Sequence, residues 1–410
     1  MRILLINQLF VSPHYPGGTR HYEFARYCVK HGDEFTIIAS TVDYLTGSAA
    51  VEPGRRSVEE NVDGVRVLRV YAHPAVHRSF VWRVLCFLSF MVTSLWAAVR
   101  SGPADAVMGT SPPIFQAVSA WLTAALRRRP FLLEIRDLWP EFAVEMGVLR
   151  NPLVIAMSRW LEGFLYRRAT HLLVNSPAYR DYLVGRKVPP AKVTLIANGV
   201  DIAMFEPDAS GDRVRHEWGL DGKFVVTYAG ALGAANDIPT ILHAAARLHG
   251  RADAHFLLVG DGKERASLEG MARELELANV TFTGGRPKSE MSDYLAASDA
   301  CVATLKDIPM FRTTYPNKIF DYMAAGRPIV LGIDGVIRQV VEAARCGLFV
   351  PPGDAAAMAA AVERLAQDRE AARAMGRAGR AYVAQYFNRE HQAQAFCLLL
   401  QGLTEGKPAG

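Results

Sequence analysis

Short apolar runs that close on glycine or a small polar turn occur in two successive series along this chain. RILLINQLF, EFTIIAS, VRVLRVY, ADAVMGT, RPFLLEIR and THLLVNS form the first, and KFVVTYAG, HFLLVGDG, NVTFTGG, DACVATL, GRPIVLG and GLFVPPGD the second. Runs that are apolar throughout, rather than at every other position, suit strands of a parallel sheet covered on both faces. Segments with helical spacing separate them, the first predicted over Arg20 to Lys30. Strand and helix in alternation define an α/β fold. The pattern restarts after KVTLIANGVD, which predicts two doubly wound domains, over 1–190 and 205–380, with a linker near 190–207. A length of 410 residues agrees, being too great for one ordinary core. From Ala355 to about Gln401 the spacing is helical again, and a last helix over about 380–401, introduced by Tyr382, Tyr386 and Phe387, is expected to pack back on the first domain.

Half of the residues are hydrophobic and 21% are charged, without low-complexity tracts, so the chain reads as a folded enzyme rather than a disordered or fibrous protein. The net charge of +5 is concentrated in the N-terminal half, at Arg55-Arg56, Arg127-Arg128-Arg129 and Arg167-Arg168. These clusters suit an anionic membrane or a diphosphate as well as a merely solvated helix face. They are not interleaved with aromatics along a strip, which speaks against nucleic acid. The five cysteines are scattered and include no Cys-x-x-Cys pair, so neither a disulfide framework nor a zinc site is expected, and a reducing compartment is. MRILLINQLF reads as a buried first strand rather than a secretory leader. No Gly-x-x-x-x-Gly-Lys-Ser/Thr loop is present and no Gly-x-Gly-x-x-Gly follows the first strand, which argues against a nucleoside triphosphatase or a simple dehydrogenase.

Phe80 to Val99 is apolar over a bilayer-spanning length, with Arg83 its one charge. A spanning helix would divide one sheet across a membrane. A buried core helix and a monotopic helix both remain open, the latter docked at headgroup level by Trp82, Trp96 and the flanking Arg78, Arg83 and Arg100. A second apolar segment, Ile114 to Leu126, ends in Arg127 and Arg128, and together the two favour a peripheral membrane enzyme.

Candidate chemistry falls at strand ends, where parallel sheets keep their sites. SPHYPGGT places Gly17 and Gly18 before a helix whose free N–H groups suit an anion, although a structural turn explains the pair equally well. EIRDLWPE clusters Arg136, Asp137 and Glu141 after a strand; Asp137 is either an acid/base or acceptor-orienting residue or a helix cap. Lys263 follows Gly260-Asp261-Gly262 and is either a diphosphate ligand or a solvated turn lysine. The densest group is TTYPNKIFDYMAAGRPIVLGID, in which Asn317, Lys318 and Asp321 surround a helix start. There Lys318 and the helix N-terminus suit a diphosphate, and Asp321 suits ribose hydroxyls.

In order, GGTRHYEFAR, RDLWPE, NGVD, YAGALG, GDGKER, TYPNKIFDYMAAGRPIV and GLFVPPGD resemble the family 4 retaining glycosyltransferases of the GT-B fold over nearly the whole chain. The likeness is nearest to the branch that builds bacterial O-antigen and capsule repeat units, fucosamine transferases included. It implies two Rossmann-like domains facing across a cleft. It also implies transfer of a sugar from a nucleoside diphosphate with retention and without a metal or other cofactor, cationic side chains and a helix dipole stabilising the leaving group. By motif, Lys263 and Lys318 would meet the diphosphate, with Gly230, Tyr315 and Asn317 beside them, Asp321 the ribose, and Gly284-Gly285-Arg286 the base. Gly17, Gly18, Arg136 and Asp137 would face donor sugar and acceptor, Arg136, Asp137 and Lys318 being the catalytic set. Arg20, Trp82, Arg83, Trp96, Arg127 and Arg128 would serve acceptor and membrane.

Two departures from the family pattern stand out. Where members carry Glu, seven residues and Glu, this chain has Thr313 and Asp321, and Gly230 to Asp237 lacks the usual cations, leaving Lys263, Lys318, Arg286 or Arg312 to meet phosphate. The expected reaction moves a hexosamine or deoxyhexosamine from a UDP-sugar to a polyprenyl-diphosphate-linked saccharide at the inner face of the cytoplasmic membrane. The rivals are a nucleotide-sugar 2-epimerase using His14, His21 and Glu134, and a silent nucleotide-sugar-binding scaffold.

Overall fold

A computed structural model describes residues 1–12, 18–42, 57–74, 80–206, 209–250 and 253–406. His14, Gly17, Arg55, Arg56 and Arg78 lie outside the described residues. The chain forms two compact units, Met1–Ser12 with Thr19–Ala197 and Glu390–Gly410, and Asn198–Arg389.

In the first unit the strands are β1 (Arg2–Ile6), β2 (Glu34–Ser40), β3 (Ser57–Val62), β4 (Val65–Val70), β5 (Ala106–Ser111), β6 (Phe131–Ile135), β7 (His171–Val174) and β8 (Val193–Leu195). Its helices up to residue 197 are α1 (Arg20–Lys30), α2 (Phe80–Arg100), α3 (Ile114–Arg127), α4 (Glu141–Glu145), α5 (Pro152–Arg168) and α6 (Pro177–Gly185). The sheet order is β3-β4-β2-β1-β5-β6-β7-β8, parallel except for β3. β3 is an edge strand with alternating exposure, joined to β4 by Asp63-Gly64, both at positive φ as a tight hairpin turn requires.

The second unit holds α7 (Asp212–Glu217), β9 (Phe224–Ala229), α8 (Ile238–Arg247), β10 (Ala254–Val259), α9 (Arg265–Glu274), β11 (Val280–Gly284), α10 (Met291–Ala296) and β12 (Ala300–Thr304). It continues through α11 (Asn317–Ala324), β13 (Ile329–Gly332), α12 (Val336–Ala343), β14 (Gly347–Phe349), α13 (Ala355–Gln367) and α14 (Arg369–Tyr386). Its sheet, β11-β10-β9-β12-β13-β14, is parallel throughout. Both sheets are thus Rossmann-like, as their uninterrupted apolar strands require.

The last helix, α15 (Arg389–Thr404), belongs with the first unit, as expected of the C-terminal helix. It packs on α1: Phe24 and Phe396 stack with ring centroids 4.8 Å apart, and Cys28 and Cys397 form a disulfide. The bond corrects the expectation of no disulfide, because partners 369 positions apart leave no spacing signal. Tyr382, Tyr386 and Phe387 stay in the second unit, where Phe387 lies against Phe320 and Tyr315.

α2 connects β4 to β5 of one sheet and lies along α3, so it does not leave the fold to cross a membrane. Its mean hydropathy of 1.6 over Val81–Arg100 nonetheless meets the spanning criterion, and only 22% of that window is buried, which removes the buried-core reading. Val81, Val92, Trp96 and Val99 are more than half exposed.

Candidate functional site

In the second unit the chemistry collects at the carboxyl edge of the sheet. The loops after β9 and β10 touch backbone to backbone: a Cβ on Gly260 would lie 1.8 Å from the Gly230 carbonyl oxygen, and one on Gly262 would lie 2.3 Å from that of Leu232. Only glycine fits such an approach. α11 rises beside them. Tyr322 is fully buried, and its hydroxyl accepts from the Ala229 N–H at 2.8 Å, pinning the helix to the end of β9. Lys318, one turn earlier, is thereby aimed at the Gly230 loop, where its Nζ donates to the Tyr228 hydroxyl at 2.7 Å and to Asn236 Oδ1 at 3.1 Å.

Both of these acceptors are neutral. Burial pushes the Lys318 ammonium down to about 7, and no carboxylate opposes the shift. A buried ammonium with neutral partners gains from the arrival of an anion, which favours its charged form. A Cβ on Gly230 would come within 3.0 Å of Nζ, so the smallest residue keeps the space above the ammonium open.

Asp321 is ion-paired to Lys288 at 2.5 Å, both side chains being mostly buried. Lys288 had no signal in the sequence, since it sits in an ordinary polar turn 33 positions away. Tyr315 is half-buried, its carbonyl accepting from Asn198 Nδ2 at 2.8 Å, and burial raises its hydroxyl to about 12. Lys263 and Asn317 are exposed, and Gly285 lies in the loop after β11. Arg286 is set between the rings of Trp218 and Tyr294, each 5.6 Å away, with Glu217 at 3.9 Å. Arg312 pairs with Asp307 at the surface, and Thr313, at the position of the family's first Glu, donates from Oγ1 to the Met310 carbonyl. A surface groove of about 840 Å³ lined by His243, Arg247 and Asp354 contains none of these residues.

In the first unit, Glu134 at the end of β6 is fully buried and accepts from Arg20 Nε at 2.9 Å and His21 Nε2 at 2.5 Å. His21 Nδ1 in turn meets Asn7 Nδ2 at 3.0 Å. Burial opposes ionisation of Glu134, but His21, Arg20 and Arg136 around it hold it far below the usual carboxylate range, while burial lowers His21 against the pull of Glu134. Arg20 also donates to the carbonyls of Ala197 and Ile196. Its assignment to acceptor or membrane is therefore corrected: at 5% exposure it is a buried clamp between α1, β6 and the chain after β8. The amphipathic spacing of α1 could not reveal this, because an arginine at a helix start looks solvated unless its carboxylate partner is known. The same network occupies His21 and Glu134, two of the three residues on which the epimerase reading draws, His14 lying outside the described residues.

Asp137 and Arg136 follow β6 directly. Burial raises Asp137 to about 6 against the pull of Arg136 and a hydrogen bond from Tyr179. The N-cap of α4 is Pro140, so Asp137 does not cap that helix. Glu141 is bound by Arg159 and Arg186 and stays out of the group. Gly18 is exposed just before α1. Along α2, Trp82 stacks on His73 and Arg83 is half-buried, while Trp96 carries the Arg100 guanidinium 3.7 Å above its ring. Arg127 is corrected in part: Nη2 clips α3 to α2 by donating to the Ala98 carbonyl at 2.6 Å, and Arg128 alone of the two is exposed.

Two such sheets have the GT-B architecture, and in the second Lys318 has neutral partners among the described residues. Residues 17–199 match the family "Glycosyl transferase 4-like domain" and residues 223–368 match "Glycosyl transferases group 1". The chain belongs to the family 4 glycosyltransferases, which use nucleotide sugars. It is 27% identical to a GDP-mannose-dependent alpha-mannosyltransferase of Mycobacterium tuberculosis over 74% of this chain and 73% of that one. It is 23% identical to the putative colanic acid biosynthesis glycosyl transferase WcaI of Escherichia coli over 80% and 82%. Other curated relatives are matched over 51%, 55% and 62% of their own length. Among solved structures, sucrose-phosphate synthase from Thermosynechococcus elongatus superposes with a TM-score of 0.79 at 22% identity, covering 99% of this chain and 100% of that one. These matches do not single out the branch that contains the fucosamine transferases.

Proposed function

We propose that the protein transfers a hexosamine or deoxyhexosamine, with retention, from a UDP-sugar to a polyprenyl-diphosphate-linked saccharide at the inner face of the cytoplasmic membrane. The observation that carries the donor half is Lys318, an ammonium held by two neutral oxygens beside a helix start. As the glycosidic bond to the nucleotide breaks, charge grows on the departing diphosphate, and Lys318 with the N–H groups of α11 stabilises it there. Asp321, oriented by Lys288, accepts from ribose hydroxyls, and Asp137 orients the acceptor hydroxyl. The acceptor half rests on the membrane-type face of α2, with Trp82, Arg83 and Trp96, and on the likeness to a colanic acid enzyme.

A second donor reading, GDP-mannose, is favoured by the mannosyltransferase relative. Turnover with a panel of UDP-, GDP- and dTDP-sugars and a detergent-solubilised polyprenyl-diphosphate sugar separates the two. Acceptor-dependent release of UDP supports the first and of GDP the second; tight nucleotide binding without release on any acceptor returns the scaffold reading. With the working donor, Asp321→Asn is expected to raise KM about 10-fold and leave kcat nearly unchanged, because a ribose contact is made equally in ground and transition states.

A further inference from the structure

The strongest unexplained feature of the first unit is the outer side of α5. Leu153, Met157 and Trp160, at helical spacing i, i+4 and i+7, are 68%, 62% and 65% exposed, and Val148 just before the helix is 51% exposed. The inner side of the same helix is ordinary core, with Leu165 and Tyr166 buried. Trp160 is held in place from below: it stacks on Phe164 at 5.7 Å, and Phe164 meets Trp121 of α3 edge-on at 4.8 Å. A large apolar side chain fixed outward by an aromatic ladder is preorganised for contact.

The exposed charges of this helix layer are mostly basic. Glu141 is taken by Arg159 and Arg186, and Glu162 by Arg186 and the Tyr166 hydroxyl, so the acids of this region are drawn inward. Arg150 just before α5 and Arg159 within it are exposed beside the stripe, Arg167 and Arg168 are exposed at the far end of α5, and Arg128 and Arg129 end the neighbouring α3; Glu145 on α4 and Asp181 on α6 are exposed acids. α5 leaves the carboxyl side of β6 and returns to the start of β7, which puts its apolar first half at the sheet edge that carries Asp137.

We infer that Leu153, Met157 and Trp160 form a docking surface that enters the headgroup region of an anionic bilayer, alongside the face of α2. The apolar stripe supplies burial, and Arg150 and Arg159 beside it, with the arginines at the far ends of α3 and α5, supply attraction to anionic lipid. Docking at this edge brings the acceptor-side loop after β6 to the depth at which a lipid-linked saccharide emerges. This rests on the membrane reading proposed above and adds to it a helix that no long apolar run announces.

Co-flotation of the full chain with vesicles of phosphatidylglycerol and phosphatidylethanolamine tests it, against vesicles of phosphatidylcholine alone. The L153S/M157S/W160S variant removes only exposed side chains, and an unchanged Tm and nucleotide-induced Tm shift verify its fold. The bound fraction on anionic vesicles is expected to fall about 10-fold or more, with wild type bound far less to phosphatidylcholine. If this variant floats like wild type while W96S is lost, the inference fails and the α2 reading stands. If wild type does not float at all, both fail. Conversion of a wild-type dimer to a monomer by the variant, with flotation unchanged, would make the face a contact between copies and overturn the inference.

Discussion

Lys318→Met is expected to lower kcat on the order of 10²- to 10³-fold while making the ligand-free protein more stable at neutral pH. The loss follows from removing the partly buried cation to which the proposed diphosphate site is assigned. The gain follows from the same geometry. In the folded protein the ammonium is pushed down to about 7 from an ordinary value near 10.5, so folding must strip a proton or bury an uncompensated charge. The sign is fixed by that direction: the unfolded chain binds more protons between about pH 7 and pH 10.5, and wild-type stability rises with pH across that window. The variant's advantage is therefore full below about pH 7, on the order of a few kcal/mol, and gone by about pH 10.5. Thermal unfolding of both proteins across this range, without nucleotide, measures it. A destabilised variant at pH 6.5 would mean that the ammonium is already matched by charge in the resting protein.

The largest loss of stability is expected from Glu134→Gln. Arg20 would remain buried with its carboxylate replaced by an uncharged amide, and removing one partner of such a pair costs about 3–5 kcal/mol. His21 would lose its ionic acceptor at the same time, so the cost falls on both side chains that α1 contributes to the network. In urea unfolding the transition of the first unit should move to lower denaturant, with the second unit's transition unchanged. An unchanged first transition would show that Arg20 is held by the carbonyls of Ile196 and Ala197 rather than by Glu134.

The two sheets were legible because parallel strands buried on both faces carry uninterrupted apolar runs with glycine at their ends, as in KFVVTYAG and HFLLVGDG. β3 escaped the same reading: SVEENV is an edge strand with one face in water, and its signal was the Asp63-Gly64 turn rather than its own residues. Lys318 could be read because a cation at a helix start after a Pro has a chemical meaning within a few positions. Lys288, Glu134 with Arg20, and Cys28 with Cys397 could not, because each depends on a partner brought close by the sheet from 33, 114 and 369 positions away. α5 was passed over for another reason: its glutamate and arginines interrupt the hydropathy, and only the structure shows that they turn to other partners and leave the apolar stripe outside.

The central claim is that Lys318 receives the diphosphate, and proton uptake tests it most directly. Calorimetric titration of the ligand-free enzyme at pH 8 with UDP or GDP, whichever binds, in buffers of different ionisation enthalpy counts the protons taken up. Near pH 8 the ammonium is mostly deprotonated, and an adjacent diphosphate restores its charge, so uptake approaching one proton per nucleotide is expected in wild type and none in Lys318→Met. Tight binding with no uptake, or with uptake that survives the substitution, would contradict the assignment.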